Sequence, residues 1–66
     1  MRYFNYDEIA RKAKIPSAKL GLLQKAIRQE FPRDDMMYEL HLLRVCLAIQ
    51  DGHITADEAI QSEQAA

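Results

Sequence analysis

The sequence predicts an all-α fold, a compact bundle of about four helices. Three observations carry this expectation. Apolar residues recur at helical spacing, and no alternating run of β-branched residues offers a strand. Side chains suited to helix starts stand at Asn5, Asp34 and Thr55. Pro16, Pro32 and Gly52 divide the chain into segments of helical length.

Tyr3 and Phe4 form a lead-in expected to tuck against the bundle. Asn5 with Glu8 makes a capping box, and the first helix runs from residue 6 to 12 or 13 with Ile9, Ala10 and Ala13 on one face. Pro16 stops it, because its ring pushes Ile15 out of the α region and leaves that side chain free to point into the core. The second helix starts at Pro16 or Ser17 and reaches about Glu30. Leu20, Leu23, Ile27 and Phe31 form its apolar stripe, with Leu22 and Ala26 towards the other side. Gly21 inside this helix costs about 1 kcal/mol relative to alanine, which predicts close approach of a neighbouring backbone or a ligand.

The stretch 34–50, DDMMYELHLLRVCLAIQ, is expected to be the central helix, capped by Asp34 or Asp35. Met36, Leu40, Leu43 and Leu47 line one side; Tyr38, Leu42, Val45, Cys46 and Ile49 line most of the other. A helix apolar nearly all round is normally buried, and this one is too short and too charged to span a membrane. Gly52 supplies the left-handed residue that ends it. Thr55 with Glu58 starts a last short helix from 56 to about 61, with Ile54, Ala59 and Ile60 as apolar contacts. The expected organisation is thus one helical domain, 1–61, and a frayed tail, 62–66.

A chain of 66 residues buries only about 60% of the surface its unfolded form exposes, so its stability needs good packing or self-association. The single cysteine excludes an internal disulfide, and no Cys/His spacing suits a structural zinc. The N-terminus turns acidic before any apolar run develops, so no export signal is read and a cytoplasmic location is expected. The net charge of −1 hides an asymmetry. Residues 1–33 hold eight Lys or Arg against three Asp or Glu, and residues 34–66 hold one Arg against seven acids. Such a split marks either an acidic partner for the basic half or attraction between the halves.

Little here can build a catalytic centre. Cys46 sits on an apolar stripe, where a buried thiol is inert. His41 and His53 have no partner at ligand spacing, and His41 on a polar seam reads as a surface or interface residue. The acidic pairs Asp34-Asp35 and Asp57-Glu58 are explained by helix dipoles. Two glycines cannot assemble a phosphate-cradling loop. The expectation is a non-enzymatic protein without metal or cofactor.

Between Tyr6 and Arg28 the chain reads YDEIARKAKIPSAKLGLLQKAIR. Ile9-Ala10, Ala13, Ile15, Leu20 and Leu23 fall at the spacing of the helix-turn-helix, and this third of the chain resembles that of bacterial and phage DNA-binding regulators. It departs from the pattern at Lys14, where glycine is commonest. The resemblance implies a regulatory role on double-stranded DNA, with Ser17, Ala18, Gly21, Leu22 and Lys25 facing the groove. That set lacks the Arg, Asn or Gln that reads base edges, so binding is expected through phosphates: Lys12, Lys14, Ser17, Lys19, Lys25 and Arg28.

The competing class is a protein-interaction module. The stripe Tyr38, Leu42, Val45, Cys46 and Ile49 exceeds what so small a monomer is expected to cover, which points to a homodimer or a protein partner. The two readings divide on the basic side chains. Lys12, Lys19 and Lys25 sharing a free surface favours nucleic acid; their pairing with Asp34, Asp35, Asp57 or Glu58 favours the interaction module.

Overall fold

The structure, a computed structural model, describes residues 3–65; Met1, Arg2 and Ala66 lie outside them. Four helices follow in order: α1 (Tyr6–Lys12), α2 (Ser17–Glu30), α3 (Asp35–Gln50) and α4 (Ala56–Ala65), with no strand among the described residues. The expected all-α class is the one found.

Local chemistry sets the helix starts. Asn5 Oδ1 accepts from the Glu8 N–H at 3.4 Å, and Glu8 reaches back to the Asn5 side-chain amide at 3.1 Å rather than to its backbone. Asp34 Oδ1 accepts from the Met37 N–H at 3.1 Å. Thr55 and Glu58 form the full reciprocal box, at 3.1 and 3.0 Å. Hydrogen bonding of the Glu58 carboxylate to the Thr55 backbone N–H, and then to the Thr55 hydroxyl, holds that carboxyl below its usual pKa. No side chain caps α2, whose first turn follows the extended Pro16.

Two helices end in the same way. Gly52 has φ 81°, its N–H donates to Ile49 O, and the His53 N–H donates to Ala48 O. Lys14 has φ 59°, its N–H donates to Arg11 O, and the Ile15 N–H donates to Ala10 O. Both are Schellman closures, and the second uses lysine where glycine is favoured. It turns Ile15 back onto the core.

The helices pack α1 on α3, α3 on α2 and α2 on α4, so α2 and α3 share the middle of the molecule. The core draws on all four: Tyr6 and Ala10, Leu23 and Ile27, Tyr38, Leu42 and Cys46, and Ala59 and Ile60. Leu23, Ile27, Leu42 and Cys46 are fully buried. Each such aliphatic side chain contributes about 1.5–3 kcal/mol of transfer free energy. The Tyr6 and Tyr38 rings meet edge to face at 6.5 Å, and the Arg28 guanidinium lies 3.8 Å from the Tyr38 ring centroid.

Three expectations are corrected. The segment 62–65 is helical rather than frayed: α4 continues to Ala65, because Glu63 turns inward against His41, and Ala66 lies outside the described residues. Gly21 has no close neighbour, and a Cβ built there would meet nothing within 4 Å. The lead-in is held by its backbone more than by its rings. Tyr3 is exposed, while the N–H groups of Tyr3 and Phe4 donate to Glu39 Oε1 at 2.8 and 3.0 Å. That contact explains why α3 buries a carboxylate.

Candidate functional site

The residues expected at an interface are mostly core. Tyr38, Leu42 and Cys46 are buried, and Val45 and Ile49 are half-buried against the same cluster. The other helices cover this stripe within one chain, so it is not available to a partner. The opposite stripe is the open one. Met36 is 47% and Leu47 37% exposed, with Leu40 and Leu43 half-buried between them. The two stripes are nearly equivalent in composition, and their order of burial is set by α1 and α2, which no local pattern encodes.

The basic residues are partly neutralised. Lys12 lies 3.6 Å from Glu8, one turn earlier on its own helix. Lys19 pairs with Asp57 at 2.9 Å, tying α2 to α4. Arg28 pairs with Asp35 at 2.8 Å and donates to Phe31 O at 3.3 Å, joining the end of α2 to the start of α3. Lys14 and Lys25 are exposed without an ion-pair partner among the described residues, and Ser17 is exposed at the start of α2. The acidic half therefore folds back onto the basic half. Both inter-helix pairs are exposed, so each contributes about 0–1 kcal/mol.

The outward face of α2 carries Ser17, Ala18, Gly21, Leu22 and Lys25, all exposed, with Leu22 at 46%. No protein family, curated protein or solved structure matches the chain. The site must be read from its own chemistry.

Cys46 is fully buried, and burial, helped by the negative charge of Asp7, pushes its thiol up to about 11. A thiolate is not accessible there at neutral pH. The polar cluster that sequence spacing did not reveal is Glu30, His41 and Glu63. His41 Nε2 lies 2.5 Å from Glu63 Oε1 and 3.8 Å from Glu30 Oε2. One donor atom from each residue lies within 4.8 Å of the others. The Phe31 ring flanks the imidazole at 5.8 Å. The three residues come from α2, α3 and α4, so only the packing brings them together.

Proposed function

We propose that the protein is a non-enzymatic interaction module that pairs with a second copy of itself through the outer stripe of α3. The observation that carries this reading is the spacing of Met36, Leu40, Leu43 and Leu47, the first and last exposed and the middle two half-buried. Their steps of four, three and four residues are those of a coiled-coil seam, and such a seam is complementary to itself. Pairing would also relieve the small burial available to a chain of this size. The pairing of Lys19 with Asp57 and of Arg28 with Asp35 adds support, because it withdraws charge from a surface that DNA would need.

The test is sedimentation velocity over a concentration series, on the parent chain and on Leu47→Glu. Leu47 is exposed, so the variant keeps its fold, which circular dichroism checks. The parent chain should shift from monomer to dimer as concentration rises, and Leu47→Glu should remain monomeric. A parent chain that stays monomeric, or a variant that pairs as the parent does, overturns the proposal.

A second reading, regulatory DNA binding, is favoured by one specific feature. Glycine is preferred where φ is positive, and Lys14 adopts φ 59° at the position where the helix-turn-helix pattern favours glycine. The six apolar positions of that resemblance are buried or half-buried, and the expected groove-facing residues are open. An NMR titration with mixed-sequence duplex DNA at low salt tests it. Lys14→Glu with Lys25→Glu is the informative variant, because neither lysine takes part in an inter-helix pair. A silent spectrum ends this reading.

A further inference from the structure

We propose that Glu30, His41 and Glu63 form a binding site for a divalent transition-metal ion of zinc type. One imidazole nitrogen and two carboxylates make a borderline donor set of the kind that Zn2+ accepts. His41 Nε2 faces both carboxylates, at 2.5 Å from Glu63 and 3.8 Å from Glu30. A proton on that nitrogen is shared with the nearer oxygen and leaves the second beyond hydrogen-bond reach. A dication satisfies all three donors at once and cancels the repulsion between the carboxylates.

The dimensions fit after small adjustments. Donors about 2.0–2.2 Å from a tetrahedral Zn2+ lie roughly 3.3–3.6 Å from one another. The two distances at His41 fall on either side of that separation, so Glu63 must retreat and Glu30 approach. Glu30 lies at the C-terminal end of α2, and its side chain, like that of His41, is about a third exposed, which gives an ion its entry path. Glu63 is only 12% exposed in its side chain, so this ligand is held by packing. Three protein ligands leave one position for water or a further donor. The site joins three helices, and an ion bound there links α4 to the α2–α3 pair. It is independent of the dimer proposed above.

The experiment is calorimetric titration of Zn2+ into the full chain, with Co2+ absorption to read coordination. One ion per chain is expected, together with the visible bands of a four- or five-coordinate Co2+ site. Glu63→Gln and Glu30→Gln should each weaken binding at least about tenfold, the lower end of what losing even a supporting group costs a metal site. His53→Gln should leave it unchanged. At free Zn2+ about a hundred times the dissociation constant, the ratio of folded to unfolded chain should rise about a hundredfold. Glu30 is exposed and both glutamine variants keep a polar side chain, so fold is retained and checked by circular dichroism. No uptake, or uptake that both glutamine variants leave intact, overturns the assignment.

Discussion

Gly21 shows how a residue can weaken a helix without filling any structural need inside the chain. It lies mid-way along α2 with open space around it, so alanine can be added without a clash. Gly21→Ala should therefore stabilise the fold by about 0.5–1 kcal/mol, through restricted backbone freedom in the unfolded chain. A urea denaturation midpoint measures this, and a loss of stability would reveal a contact not visible in the free chain. Gly52 is the opposite case: at φ 81° its glycine is required by the closure of α3. Two buried acids, the Cys46 thiol and the Tyr38 phenol, give the fold a sensitivity to alkali. Burial is the main cause of both upward shifts; for Tyr38 the neighbouring Tyr6 adds to it and Arg28 opposes it. Both groups hold their protons more tightly when folded. Their contribution is complete below their unfolded-state pKa and is lost as pH rises, for Cys46 between its ordinary value near 9 and about 11. Urea midpoints should fall between about pH 8 and about pH 10.5, and Cys46→Ala should show a smaller fall over the same interval.

At the scale of elements, the N-terminal strap is the clearest case of one side chain organising a segment. Glu39 accepts from two consecutive backbone N–H groups, and removing its carboxylate leaves both without that acceptor. Glu39→Ala should cost about 1–3 kcal/mol and speed proteolysis ahead of α1, which a limited digest followed by mass spectrometry would detect. An unchanged cleavage rate would mean that the Glu39 carboxylate does not hold the strap. Nothing in the local sequence marks the backbone N–H groups of Tyr3 and Phe4 as the partners of Glu39. The same division runs through the chain. Caps at Asn5, Asp34 and Thr55 and the stop at Gly52 are local events, decided within a few residues, and they could be read directly. The inward face of α3 could not. Its two stripes differ little in apolar character, and the choice between them depends on how α1 and α2 dock. Convergence of Glu30, His41 and Glu63 is a matter of packing as well, since each lies on a different helix. The sequence pattern after residue 61 predicts a frayed tail because nothing local marks Glu63 as an anchor; its partner, His41, lies on another helix.

For the molecule as a whole, the four helices are unequal in how they are held. α2 and α3 supply all of the fully buried large side chains, Leu23, Ile27, Leu42 and Cys46. α4 adds Ala59 and Ile60, the exposed Lys19–Asp57 pair and the Glu63–His41 contact. Burying one alanine and one isoleucine, with one weak surface pair, holds a ten-residue helix only loosely. Amide hydrogen exchange should therefore proceed in sequence: amides of α4 first, through a sub-global opening, and those of α2 and α3 only on global unfolding. Equal protection in α4 and α3 would mean that the chain opens as one unit. An early departure of α4 has a consequence for turnover in a cell. The detached helix carries three acidic or amide side chains among its last five described residues, Gln61 to Ala65, leaving too little apolar length to collapse on its own. A degradation machine that engages unfolded segments would meet one here, while the three-helix remainder still resisted it. The lifetime of the folded protein would then be governed by whatever keeps Glu63 seated against His41.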